Sequence, residues 1–438
     1  MNKLGGDVNV GATVKFFGLG VNPSQEWPFG DNCTARNNQE SQGAPGWVPA
    51  DGQLAMAVSS TYGAAVWSEL PAGQNRPSGD IKLRIWDGNA WGSIIDITND
   101  ADADMAPSIE FDGQGNLVIV YQRSTEALPT MVNELDVFAN GLELHYVVYD
   151  PINQIELAIG QMTTNSNNDF GPVIKVDSNN NLHVFWQRAI GTNIFGNEAN
   201  RVSIHTSSWD SINQNWINEE TVADNLKFTL GWSADSFNDD TMLVSLIVDT
   251  DDDFSTNQDR ELFHIDKNNG IWDSPNQLTN NATNDDAPLS AFNSNGDPVI
   301  LWRQNGEVLQ KQGDLSDPSI LAFTSHDPIL DDGIGLEFGD GLVLKSNLGL
   351  AAFWPNSTKI ELTSTIEQNN WTHLGQIDPI SGAQSMHNAK LVGTNAVVAY
   401  SVRTFENNNT SLSDFVTPMI QSINLISDEI FINGFESN

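Results

Sequence analysis

Four arginines hold comparable places in this 438-residue chain, each shortly after an aromatic residue that closes an apolar run. Arg123 and Arg188 follow Tyr121 and Trp186 by two positions, Arg303 follows Trp302 by one, and Arg403 follows Tyr400 by three. Asp104, Asp169 and Asp286 stand just ahead of the apolar run that precedes each of the first three. With only 19 basic residues in the chain, this recurrence points to guanidinium groups with a repeated task. Two tasks are open. Each Arg pairs with an Asp of its own or the next repeat and fixes packing, or the arginines cluster on one rim and grip carboxylate or sulfate groups of a ligand. The unequal offsets bear on the second, because successive side chains of a strand point to opposite faces.

Asp249, Asp251 and Asp253, followed by Ser255 and Asn257, offer oxygen ligands at alternate positions, as a calcium loop does. Phe254 stands where an EF-hand needs Gly and Arg260 where a bidentate Glu belongs, so a solvated acidic loop is the competing expectation. Calcium is the one cofactor this sequence suggests. For catalysis there is no His-Glu zinc motif, no Gly-x-Ser-x-Gly elbow and no glycine-rich phosphate loop, and the seven histidines are dispersed. No catalytic residue is assigned. A glycosidase carboxylate pair stays open, since among 57 acidic residues a fold can bring any two to the right separation. Trp91, Trp216, Trp272 and Trp371 recur beyond Asp or Asn turns; rings at such a period are expected to pack between repeats, with sugar stacking as the other use.

The elements that carry these residues repeat. Ala106 to Arg123 (APSIEFDGQGNLVIVYQR) returns at Gly171 to Arg188 (GPVIKVDSNNNLHVFWQR) and at Ala287 to Gln304 (APLSAFNSNGDPVILWRQ). Each copy has a Pro, an Asp or Asn five positions on (Asp112, Asp177, Asn293) and an aromatic fourteen positions on. The phrase reads as a strand, an Asp/Asn/Gly turn and an apolar strand, hence a β-hairpin. A second hairpin follows each, as in IKLRIWDGNAWGSIIDIT from Ile81 to Thr98, and four strands in about 45 residues is the size of a propeller blade.

The predicted fold is therefore all-β, a seven-bladed β-propeller of four-stranded blades, with six and eight as the neighbouring counts. Residues 1–49 form an N-terminal strand and irregular segment expected to close the ring, 50–427 the propeller and 428–438 a tail. The strand-like Ala12 to Leu19 is the candidate for closure.

At these phrases the chain resembles the broad group of bacterial β-propellers related to sialidases and to repeat-bearing lectins and adhesins. The sialidase Asp-box is approached by Ile265 to Trp272 (IDKNNGIW), without its leading hydroxyl and with shifted spacing. The tail Asp428 to Glu436 (DEIFINGFE) looks like a terminal motif of exported proteins of Gram-negative bacteria. The resemblance implies a secreted or periplasmic protein that recognises glycan or extracellular protein, with a glycan-cleaving enzyme of sialidase-like form as the alternative.

A net charge of −38 repels nucleic acid and anionic membrane surfaces. No apolar stretch is long enough for a spanning helix, and a single cysteine, Cys33, excludes an internal disulfide and a thiolate zinc site. A monomer is expected. The recognition surface is expected on the loops that leave the aromatic-terminated strands: Ser124 to Gly141, Ala189 to Asn200 and Thr250 to Arg260, with Phe138, Phe195 and Phe254 on them and Arg123 and Arg188 beside them.

Overall fold

The computed structural model describes residues 15–16, 19–20, 48–49, 54–69, 79–124, 141–190, 201–227, 229–251, 256, 258–304, 307–316, 321–322, 342–346, 349–355, 360–367, 370–377, 384–392, 395–408 and 411–424. Every regular element among them is a strand. Six sheets have four strands and one has five.

The sheets follow the chain. The first contains Leu54–Val58, Gly63–Glu69, Asp80–Trp86 and Ile95–Asp96, and the second Ala103–Phe111, Leu117–Ser124, Glu143–Asp150 and Ile155–Gln161. The third contains Asn168–Val176, Leu182–Ala189, Val202–Asp210 and Asn215–Leu226. The fourth contains Thr229–Asn238, Thr241–Asp249, Arg260–Asn268 and Ile271–Trp272, with Asn276–Gln277 also paired to its third strand. The fifth runs from Asp285–Phe292 through Pro298–Gln304 and Glu307–Gln312 to Leu321–Ala322. The sixth runs from Leu342–Ser346 through Gly349–Pro355 and Ile360–Glu367 to Asn370–Ile377. The seventh is built from Gln384–Val392, Asn395–Asn408, Ser411–Asn424 and, from the other end of the chain, Val48–Pro49.

The leading strand of each sheet packs beside the leading strand of the next, and Gln384–Val392 packs back against Leu54–Val58. The leading strands thus close a ring, and the architecture is a β-propeller with each sheet as a blade. Closure uses Val48–Pro49, paired with Val416 and Phe415. Val48–Pro49 falls within the segment 1–49 expected to close the ring, but not within the strand expected to do it: the described residues of Ala12 to Leu19, Lys15, Phe16 and Leu19, belong to a local pair of Lys15–Phe16 with Leu19–Gly20.

Turn chemistry explains why the phrase repeats. Asp112 Oδ1 accepts from the amides of Gln114 (2.9 Å) and Asn116 (2.8 Å), and Asp177 Oδ1 from those of Asn179 (2.7 Å) and Asn181 (2.8 Å). Asn293 Oδ1 accepts at 2.9 Å from Asn295 and Asp297. The turn needs one side-chain oxygen at that point and no charge, so Asn replaces Asp.

Between blades the apolar faces interlock. Ile81, Leu83 and Ile85 of the first blade pack with Ile119, Tyr121 and Val147 of the second. Val118, Val120 and Val148 pack with Val184, Trp186 and Trp209 of the third. Trp216 joins that second interface and Trp272 the next, which is where the recurring turn tryptophans were expected. Tyr121, Trp186 and Trp302 are fully buried.

Candidate functional site: the aspartate and arginine rim

Leading strands begin, and second strands end, on the same rim of the ring. There Asp104 lies directly across from Arg123 and Asp169 across from Arg188. Arg123 is held by a fork: Nε donates to Asp104 Oδ1 at 2.6 Å and Nη2 to Oδ2 at 2.7 Å. Asp100 adds a contact at 2.8 Å and Asp102 one at 3.6 Å. Arg188 Nε donates to Asp169 Oδ1 at 2.7 Å, and Nη1 to Glu219 Oε1 at 2.7 Å. Each guanidinium also lies over the ring two residues before it, 5.7 Å from Tyr121 and 5.9 Å from Trp186.

The fifth blade is one residue out of step. Arg303 faces Asp286, with Nε to Oδ1 at 2.6 Å and Nη2 to Oδ2 at 2.8 Å. The true counterparts of Asp104 and Arg123 are Asp285 and Gln304: they face each other, Gln304 Nε2 donates to Asp285 Oδ1 at 2.7 Å, and Trp302 Nε1 donates to the same oxygen at 3.1 Å. Trp186 Nε1 makes the matching bond to Asp169 at 2.7 Å. Adjacent residues of a strand point to opposite faces, so Arg303 projects from the face opposite to that of Trp302. Arg123, Arg188 and Arg303 each pair with an aspartate of their own blade. Arg403 lies across from Val416, and its side chain is outside the described set.

The sequence carries a signal that would have fixed this register: a threonine six residues before the rim aspartate, Thr98, Thr163 and Thr279. Each hydroxyl accepts an amide near the start of a third strand, from Ile81 (2.8 Å), Leu144 (2.9 Å) and Leu262 (2.8 Å). Thr279 then donates to Asp285 Oδ2 at 2.6 Å.

Backbone geometry is special at the same place. Ala106, Gly171 and Ala287, each followed by Pro, have φ of 51°, 63° and 48°, and the strand register shifts there. These bulges let the chain turn from the rim into the ring with its aspartate still facing the second strand.

The rim is electrostatically saturated. Hydrogen bonds donated to Asp104 raise the Arg123 pKa above its ordinary value against the opposing effect of burial. The His205 hydrogen bond, aided by Arg188 and opposed by burial, brings Glu219 down to about 2. Burial lowers His145, beside Arg123, to about 4, leaving it neutral. Three carboxylates surround Arg123, so a further anion would meet net negative charge. The cavity at the rim beside Arg260, Asp285 and Asp286 holds about 20 Å³, room for a single water.

In the fourth blade Asp249 and Asp251 come within 4.8 Å of Asp259, a residue the oxygen pattern did not include. Asp259 accepts from the Asp251 amide at 3.1 Å and from Thr256 Oγ1 at 3.2 Å, and Arg260 Nε lies 3.9 Å from the buried Asp249. Asp253, Phe138, Phe195, Phe254 and Cys33 fall outside the described residues.

No protein-family model matches the chain, and no curated protein matches it. Solved structures do. The chain is similar to the polysaccharide lyase Uly1 at 9% identity and a TM-score of 0.48, over 85% of this chain and 89% of that one. It is similar to the α-L-arabinofuranosidase arb93a from Fusarium graminearum at 9% identity and 0.45, over 72% and 92%. To Trypanosoma rangeli sialidase it is similar at 10% identity and 0.41, over 83% of this chain and 54% of that one. The likeness is one of fold alone.

Proposed function

We propose that the protein is an exported, non-catalytic recognition module that binds a glycan or an extracellular protein segment through the loops of the rim face. The observation that carries this is the pairing of Arg123 and Arg188 with carboxylates of their own blade. A guanidinium spent on a cross-strand aspartate braces the strand ends that lead into residues 125–140 and 191–200, and it is poorly placed to take part in chemistry. The same saturation argues for a neutral or cationic ligand rather than the carboxylate or sulfate group that the arginine recurrence first suggests. The tail Asp428 to Glu436 supports export.

The test is a binding screen of the full chain against arrayed glycans and extracellular matrix proteins, with a second version in which residues 125–140 are replaced by a short turn. Loss of binding at unchanged melting temperature supports the reading. Equal binding by the trimmed protein refutes the rim site, and release of shortened glycan would replace recognition with cleavage.

A further inference from the structure

On the face opposite the rim, where the hairpins turn, a groove of about 490 Å³ opens between the first and second blades. Its walls include Tyr62, Asp87, Trp91 and Ser93 of the first blade and Ile152 and Gln154 of the second. That volume lies in the range of small-ligand sites.

The groove exists because a clamp found at the next interface has no counterpart here. Between the second and third blades, Gln114 Nε2 donates to the Ser211 carbonyl at 2.9 Å and Tyr146 Oη to the Gln214 carbonyl at 3.1 Å. The third-blade turn Asp210-Ser-Ile-Asn-Gln214 repeats the second-blade turn Asp150-Pro-Ile-Asn-Gln154. In the first blade, however, Ser60 and Thr61 stand in the turn that corresponds to that of Gln114. Leu83 stands where Tyr146 would be, since Leu83 and Tyr146 each follow the residue paired with the blade's aromatic, Trp67 or Tyr121. Short hydroxyls and an aliphatic chain do not bridge the gap. Among the described residues, no hydrogen bond ties the first-blade turn to the turn at Pro151.

The lining is chemically mixed. Tyr62 brings an aromatic ring, and Ile152 is 68% exposed at the edge; Trp91 borders the groove while packing against Met56, Val58, Ala65 and the seventh blade's Ala399. Asp87 Oδ1 accepts from the amides of Asn89 (2.9 Å) and Ala90 (2.8 Å), which holds this exposed carboxylate ionised below its ordinary range and leaves Oδ2 as an acceptor. Tyr62, Ser93 and Gln154, whose side chains carry donors and acceptors, line the same walls. A flat ring presents its electron-rich face to C–H groups, while hydroxyls that radiate from a small ring need donors and acceptors around its edge. One ligand class has both features.

We propose that this groove binds a pyranose ring of a neutral saccharide. Asp87 in the wall and the net charge of −38 both disfavour uronic and other acidic sugars. The site stands apart from the rim and does not rest on the rim reading.

The experiment is titration calorimetry on the full chain with methyl glycosides of glucose, galactose and mannose, N-acetylglucosamine and, as the charged comparison, glucuronic acid. At least one neutral glycoside is expected to bind, and glucuronic acid at least tenfold more weakly. Ile152→Trp, at an exposed position, should fill the groove and weaken binding at least tenfold, and Gln154→Ala severalfold, both with the parent's melting temperature. The version trimmed at residues 125–140 should keep full affinity, which separates this site from the rim. Absence of binding to every neutral glycoside overturns the proposal. So does binding that ignores Ile152→Trp and Gln154→Ala, binding lost on trimming the rim loop, or glucuronic acid binding as tightly as the neutral sugars.

Discussion

Asn388 of the seventh blade donates from Nδ2 to Oε2 of Glu110 in the second blade, at 2.6 Å, across a ring in which the first blade lies between them. Both residues sit on leading strands, and Glu110 Oε1 accepts the Phe111 amide at 2.9 Å. The bond ties together two blades that are not neighbours.

Burial raises the Glu110 pKa above its ordinary value of 4.5, with the Phe111 amide, Asn388, Lys390 and Lys175 opposing. A carboxyl raised by folding contributes stability that is full below the unfolded value and falls as pH rises through the folded one. Glu110→Gln is therefore expected to raise the melting temperature at pH 8, by an amount equivalent to roughly 1 kcal/mol, and to flatten its dependence on pH above 4.5. Melting curves across that range decide it; a variant less stable than the parent at pH 8 would show that the ionised form is the stabilising one.

Asp104 is fully buried against Arg123. Removing one partner of a buried pair strands the other, so Asp104→Ala should cost about 3 kcal/mol in urea unfolding. The Asp100 contact at 2.8 Å keeps the loss at the lower end. Arg123→Lys, which keeps charge but loses the fork, should cost about 1 to 2 kcal/mol. Losses below about 0.5 kcal/mol for Asp104→Ala would remove the bracing role assigned to this pair.

Ala106 and Ala287 occupy the left-handed region, where the third blade has Gly171. A Cβ is penalised there, and glycine's extra unfolded freedom offsets part of the relief. Ala106→Gly and Ala287→Gly are each expected to stabilise by about 0.5 kcal/mol, and Gly171→Ala to destabilise by about 1 kcal/mol. The opposite sign in unfolding titrations would mean that the bulge tolerates a methyl group.

Calcium is the ion that the oxygens around Asp249, Asp251 and Asp259 would suit. Part of their charge is offset from within the chain by Arg260 beside Asp249, and Thr256 donates to both Asp251 and Asp259 while the Asp251 amide donates to Asp259. These hydrogen bonds, working against burial, bring the Asp259 pKa below its ordinary value. Chelator and millimolar calcium are thus expected to leave the melting temperature unchanged. A calcium-dependent rise, abolished by Asp251→Asn, would make this loop a metal site.

Local structure can be read directly from the order of the residues. The strand, turn, strand phrases were legible because their hydrogen bonds close within a few residues: Asp112 to Asn116, Asp177 to Asn181, Asn293 to Asp297. Burial of Tyr121, Trp186 and Trp302 followed from their place at the end of an apolar strand. The propeller followed too, since repeated four-stranded units must cover one another's faces. Only the tertiary structure decided which residues meet over long separations. Val48–Pro49, not Ala12 to Leu19, completes the seventh blade, because closure depends on where the last sheet's open edge lies in space. Asp285 and Gln304, not Asp286 and Arg303, match the pairs of the second and third blades, because a strand's register shifts at a bulge and a shift of one reverses every face. The groove at Trp91 and Gln154 was likewise hidden. It arises from side chains that fail to reach across an interface, and such a gap leaves no mark in the spacing of the residues that border it.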